Sequence, residues 1–214
     1  EAIGDGDPSV DVEVIEVAWR LLENLGISKL SLLINSIGDL KCRPTYINKL
    51  QSYYRPNINR ICADCVRRLD SNPLRLLDCK EKSCESVISE APESIEGLCE
   101  ECSTHWDSLL SNLNAIGIPY RTDKRLVRGF DYYNRTVFEI IPPLDGRQNT
   151  IVGGGRYDGL IKELGGLPTP GVGFGMGIER VLKDLRTQVL PNLQNPKTSI
   201  LVAYLGTSAK ESGL

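Results

Sequence analysis

The sequence has one histidine, His105, and one methionine, Met176. With a single imidazole available, a Ser-His-Asp or Cys-His relay in the core of a sheet is disfavoured. There is no apolar run near the ~20 residues that a membrane-spanning helix needs, which argues for a soluble protein with no membrane partner. There is no internal repeat and no low-complexity tract, and the given residues are not expected to include a signal peptide, while one upstream of Glu1 would not be observable. Cysteine is absent outside the block from Cys42 to Cys102, where all seven lie. An odd number crowded into one block is unlike the even framework of a secreted disulfide scaffold, so the expected compartment is reducing and cytoplasmic. Nor is there an excess of basic charge. A net charge of −3 argues against a generally basic nucleic-acid surface, although a local patch would not show in that sum.

What is present is ordinary globular material. The composition is 41% hydrophobic and 25% charged, enough to build a core over 214 residues as one large or two small domains. Asp7-Pro8 is a helix start, with Asp as N-cap and Pro at the first helical position. Val14, Ile15, Ala18, Leu21, Leu22 and Leu25 then recur at helical spacing, and Gly26 stops the run. Residues 30–34 read as a short strand, followed by a turn over residues 35–38. From Cys42 to residue 121 the texture is polar, cysteine-bearing and helical, punctuated by Pro44, Pro56, Pro73 and Pro92. Its last clear helix carries Trp106, Leu109, Leu110 and Leu113 and ends near Gly117. Strands are expected at residues 136–141, 150–153 and 171–176, with a longer hairpin loop over 142–149. Helices are expected at 157–164 and 178–190. Residues 191–197 read as a linker, and 199–204 as a new apolar strand.

The densest run of functional side chains is Leu-Val-Arg-Gly-Phe-Asp-Tyr-Tyr-Asn-Arg-Thr-Val-Phe-Glu at 126–139. It brings the fixed cation Arg128, the carboxylate Asp131 and the phenols Tyr132 and Tyr133 to the mouth of a strand. That combination suits a small polar ligand carrying an anionic group. In Gly171-Val-Gly-Phe-Gly-Met-Gly177, glycine occupies every second position. One strand face is then bare backbone, at Gly173 and Gly175, while Val172, Phe174 and Met176 point into the core. The bare face suits either a tightly packed sheet corner or the approach of a flat ring such as adenine. Glu179 and Arg180, opening the next helix, favour the ligand, because N–H groups and a guanidinium there attract an anion. Gly153-Gly-Gly-Arg-Tyr-Asp-Gly159 is a second bare stretch, suggesting one pocket with two backbone walls. The cysteines pair as Cys62-x2-Cys65, Cys79-x4-Cys84 and Cys99-x2-Cys102, with His105 following. Such pairs suit either structural zinc or reduced thiols packed as small hydrophobes. For one tetrahedral site the candidates are Cys79, Cys84, Cys99 and Cys102. His105 is expected to face solvent or to serve as a spare ligand.

In their order and spacing these stretches resemble the catalytic core of the histidyl-tRNA synthetase family, a class II aminoacyl-tRNA synthetase. Residues 171–180 resemble the third class II motif, and 126–139 and 151–159 the two histidine-specific motifs. The opening Glu1-Ala-Ile-Gly resembles the end of the second class II motif. The resemblance covers essentially the whole chain and implies an α+β fold, an antiparallel sheet flanked by helices. Its expected divisions are catalytic core over 1–41 and 122–190, helical insertion domain over 42–121, linker over 191–197 and the start of an α/β anticodon-binding domain over 198–214. It implies that the chain is an internal segment with upstream motifs missing, not fully active alone. The implied activity is that of a histidine–tRNA ligase using ATP with Mg²⁺, L-histidine and tRNA(His), acting as a homodimer. By the same resemblance, Arg128 holds the α-phosphate and contacts the histidine substrate, with Glu1, Tyr132 and Tyr133 around the imidazole. Arg180 clamps the ATP tail, and the strand of Gly173, Gly175 and Gly177 carries adenine. The rival readings are a synthetase-like regulatory subunit of ATP phosphoribosyltransferase and a plain nucleotide-binding module. The first is expected to lose Arg128 or the histidine-binding residues, which are present here. The second leaves the paired tyrosines unexplained.

Overall fold

The structure is a computed structural model that describes residues 1–142 and 150–188. The expected linker and the strand at 199–204 therefore lie outside the described residues. Helix α1 runs Pro8–Asn24, and the Asp7 side chain accepts the Ser9 N–H at 2.8 Å, as an N-cap should. The chain leaves it through Gly26, whose φ of 85° favours glycine. Ile15, Ala18 and Leu22 are wholly buried, with Val12 and Trp19 beside them. Leu21 and Leu25 instead stay partly exposed, because the apolar stripe is centred on the Val12–Trp19 side.

Six strands form one sheet: β1 (Ala2–Ile3), β2 (Ser31–Ser36), β3 (Tyr120–Thr122), β4 (Asn134–Ile141), β5 (Val152–Arg156) and β6 (Gly171–Met176). Their order is β1-β6-β5-β4-β2-β3. Every pairing is antiparallel except that of β2 with β3, so the sheet is mixed where a purely antiparallel one was expected. The exception has a simple cause: a parallel neighbour needs a long crossover, and the helices after β2 supply it. The remaining helices are α2 (Arg43–Tyr54), α3 (Ala63–Ser71), α4 (Lys82–Ser89), α5 (Glu100–Ile116), α6 (Leu160–Glu163) and α7 (Ile178–Gln188). Helix α6 is shorter than the expected 157–164, because residues 157–159 form the turn that leaves β5.

Strand alternation sends residues to two cores. Phe138, Ile140, Val152 and Val172 face α1 and α5, where Trp106, Leu109 and Leu113 meet them. Val137, Tyr133 and Tyr157 face the other way, towards Tyr46, Leu50, Tyr54 and Leu69 of the helical block. By packing, α5 belongs with α1 and not with the rest of that block. The block covers only part of the second sheet face, and the part left open carries the residues described next.

Candidate functional site

Across β4, β5 and β6 the register sets Glu139 opposite Gly153 and Gly153 opposite Gly175. The adjacent row on the same face is Val137, Gly155 and Gly173. Most of these glycines make room for an identifiable side chain. A Cβ on Gly153 would lie 2.6 Å from Arg128 Nη1, and one on Gly155 would lie 3.0 Å from the Tyr133 ring. One on Gly173 would lie 2.8 Å from both Glu1 Cγ and the Tyr157 hydroxyl. Gly175 differs, since among the described residues nothing lies within 4 Å of where its Cβ would be. Val172, Phe174 and Met176 pack towards the first core, as the alternation required.

Arg128 lies over this floor. Its Nη1 donates to Glu139 Oε1 at 2.8 Å, and the other carboxylate oxygen accepts from Thr150 Oγ1 at 2.7 Å. The guanidinium carbon stands 5.7 Å from the Tyr133 ring centroid, within cation–π range. Arg128 Nε has no hydrogen-bond partner among the described residues. Opposite, Arg180 at the start of α7 donates from Nη1 to the Thr150 carbonyl at 2.6 Å. Between the two cations opens a cavity of about 970 Å³, whose lining includes Arg128, Tyr133, Glu139, Gly175, Gly177 and Arg180. Asp78 and Lys80 of the helical block also line it. Two fixed cations beside bare backbone suit a ligand with a flat ring and a polyanionic tail.

Next to the cavity is an aromatic cluster. Tyr132 stacks on Phe130, and the Tyr157 ring meets Tyr132 and Tyr133 edge-on. The Tyr157 hydroxyl donates to Glu1 Oε1 at 2.9 Å. Burial, reinforced by Tyr133, pushes the Tyr132 phenol up to about 12. Burial, then the Glu1 carboxylate, raises that of Tyr157. Both phenols are therefore O–H groups at neutral pH, one of them aimed at a carboxylate. Of the residues singled out from sequence, Arg128, Tyr133, Gly175, Gly177 and Arg180 line the cavity, while Glu1, Tyr132 and Gly173 lie outside its lining, around Tyr157. Sequence reasoning missed Tyr157 and Glu139. Tyr157 could have been found as the first aromatic after the bare Gly153–Gly155 strand.

Behind the floor sits Arg156, wholly buried. Its Nε donates to both Asp11 oxygens, at 3.2 and 3.0 Å, and its Nη1 to Asp158 Oδ1 at 3.1 Å. His105 is buried too, with Nε2 at 3.2 Å from Thr136 Oγ1 and 3.4 Å from Asp11 Oδ2. It neither faces solvent nor joins the cysteines, because this carboxylate and hydroxyl engage it.

The cysteines also regroup. Cys79 and Cys84 gather with Cys62 and Cys65, whereas Cys99 and Cys102 gather with Asp39 and Cys42. The single site expected from Cys79, Cys84, Cys99 and Cys102 is thus divided, because α5 packs with α1 and sets its pair beside Asp39 and Cys42. No helix of the described residues is long and apolar enough to cross a membrane.

A sequence model of the histidyl-tRNA synthetase family matches residues 1–181. A histidine–tRNA ligase of Dehalococcoides mccartyi strain 195 is 51% identical over 209 residues, 98% of this chain and 50% of that protein. One from Symbiobacterium thermophilum is 48% identical over 216 residues, 100% of this chain and 50% of that protein. The chain spans about half the length of the curated relatives it matches. The apo histidyl-tRNA synthetase of S. aureus superposes with a TM-score of 0.70 at 34% identity, covering 99% of this chain and 52% of that one. A Bacillus halodurans structure titled an ATP phosphoribosyltransferase regulatory subunit/histidyl-tRNA synthetase matches at 0.56 and 25% identity, covering 86% and 51%.

Proposed function

Because the chain belongs to the histidyl-tRNA synthetase family, we propose that the protein is a histidine–tRNA ligase, activating L-histidine with ATP and passing it to tRNA(His). The observation that carries the reading is Arg128, held by Glu139 above the bare Gly153 and facing Arg180 across a cavity whose floor is open at Gly175. Adenine lies on the Gly173–Gly177 strand, the triphosphate between the two arginines. Arg128 stabilises charge that develops on the α-phosphate as the histidine carboxylate attacks it. Arg180 holds the far end of the triphosphate. The imidazole sits at the tyrosine end, where Tyr132, Tyr133 and Tyr157 offer hydroxyls and Glu1 an acceptor. A site that pairs both ring nitrogens rejects amino acids that leave those groups unpaired.

Mg²⁺ belongs to this reading as the counter-ion of the triphosphate. Among the carboxylates lining the cavity, Glu139 lies beside Arg128, and its two hydrogen bonds leave acceptor capacity for the ion. Homodimeric assembly, a cytoplasmic location, the insertion domain at 42–121 and the anticodon-binding domain after the linker are parts of the same proposal. The test is histidine-dependent ATP–pyrophosphate exchange by the whole protein. Exchange that requires histidine is the expected result. Its absence, together with stimulation of an ATP phosphoribosyltransferase, would favour the regulatory-subunit reading instead.

A further inference from the structure

Outside the cavity, the helical block holds four cysteines whose sulfurs lie within 4.8 Å of one another: Cys62, Cys65, Cys79 and Cys84. Cys62 Sγ is 3.8 Å from Cys79 Sγ, and Cys84 Sγ is 3.9 Å from Cys65 Sγ. A disulfide would need sulfurs about 2.05 Å apart, and all four are free thiols. Zinc–thiolate bonds are about 2.3 Å long, and the edge of a tetrahedron of that radius is about 3.8 Å. The observed contacts therefore have the spacing of sulfurs around one tetrahedral ion. The thiolates of an iron–sulfur cluster would stand farther apart, with the cluster between them.

We propose that Cys62, Cys65, Cys79 and Cys84 bind one structural Zn²⁺. The backbone around them is arranged for thiolate charge. Cys62 is the N-cap of α3 and Cys65 lies in its first turn, while Cys84 lies in the first turn of α4, so two helix N-termini converge on the sulfurs. The Cys62 N–H donates to Cys84 Sγ at 3.1 Å. That N–H···S bond orients its ligand, and with the two helix N-termini it offsets part of the negative charge that four thiolates would leave around a dication. Cys65 and Cys84 are buried and Cys62 is partly exposed, which gives the ion an entry path.

The neighbouring group of Asp39, Cys42, Cys99 and Cys102 is built differently. Asp39 Oδ1 already accepts the Lys41 and Cys42 N–H groups at 2.9 and 3.3 Å, and Asp39 Oδ2 lies 3.6 Å from Arg135 Nη2. That carboxylate is committed to a turn and a guanidinium.

The zinc site has a structural task. From the short turn between α3 and the Cys79 strand of chain, Asn72 Nδ2 donates to Asp131 Oδ1 at 2.7 Å and Arg75 Nη1 to the Gly129 carbonyl at 3.1 Å. The ion would therefore fix the segment that grips the Arg128–Tyr133 loop from outside.

The test is elemental analysis of the whole protein, purified without chelator and without added metal. One zinc per chain is expected, retained on dialysis and released by a thiol-blocking mercurial with loss of thermal stability. Replacement by Co²⁺ should give the intense visible bands of tetrahedral tetrathiolate cobalt. Cys62→Ser with Cys79→Ser should lose the zinc, and Cys99→Ser should keep it. Zinc-free protein in which all seven thiols titrate would overturn the proposal. So would a cobalt spectrum of an oxygen-rich site, or zinc lost in Cys99→Ser and kept in the double variant. If the double variant does not fold, the zinc content and cobalt spectrum of the parent still decide.

Discussion

The Arg156 guanidinium and the Asp11 carboxylate, 145 residues apart in sequence, meet with both side chains wholly excluded from water. The pair fastens β5, whose other face is the floor of the cavity, to the first helix. Asp11→Asn leaves the buried Arg156 with only the partly exposed Asp158, and Arg156→Leu leaves the buried Asp11 with only His105. Breaking such a pair from one side costs roughly 3–5 kcal/mol. For a chain of this size that is a fall in Tm of roughly 6–20 °C. Thermal unfolding checks it, and a shift of a degree or two would show that water reaches the pair.

The same pair sets an acid limit. Burial pushes the Asp11 carboxyl up, but hydrogen bonds from His105 and Arg156 outweigh it and hold the group below its ordinary 3.8. A carboxyl depressed in the folded state contributes stability that is complete above its unfolded value and is lost as pH falls through the folded one. Unfolding free energy measured by denaturant should therefore drop steeply below about pH 4. The slope should flatten in Asp11→Asn, and equal slopes would assign the acid limit elsewhere.

Gly153→Ala and Gly154→Ala should fail in different ways. At 153 the new methyl meets the mobile tip of Arg128, which can swing aside. Folding survives, but a misplacement of that cation by about 1 Å costs about a hundredfold in adenylate formation. At 154 the methyl meets the Gly173 carbonyl oxygen at 2.3 Å, which belongs to the paired strand. There the protein should lose stability. Paired melting and pyrophosphate-exchange measurements separate the two outcomes.

Arg128→Ala should lower kcat for adenylate formation by about 10²–10³-fold, the usual cost of removing one preorganised donor. Histidine affinity should change little by comparison. Tyr157→Phe should do the reverse. It strips the donor from Glu1 and leaves the phosphate end alone, so the KM for histidine should rise while that for ATP holds. Separate KM values in the exchange assay decide, and equal changes in both would remove Tyr157 from the histidine end.

Local chemistry made some of this legible in the chain. Asp7-Pro8 and Gly26 bracket α1 because capping and positive φ are properties of a few adjacent residues. The alternating glycines of β6 announced a bare face because strand periodicity is also local. Asp11 gave no such signal: a lone carboxylate on a helix reads as a solvated position until a cation distant in sequence arrives to bury it. His105 was misplaced for the same reason. Strand β3 was missed because three residues, Tyr-Arg-Thr, carry no period. The cysteines were grouped by spacing, and spacing does not say which way α5 turns its pair.

Gly175 is the floor position where a larger residue meets no atom of the described residues within 4 Å. Its smallness answers no packing demand that the fold makes. A side chain grown there would change the shape of the proposed nucleotide seat without disturbing the sheet. The position is thus a natural handle for a bump-and-hole pair: a Gly175→Ala protein refusing ATP but accepting an analogue trimmed at the matching edge of the ring.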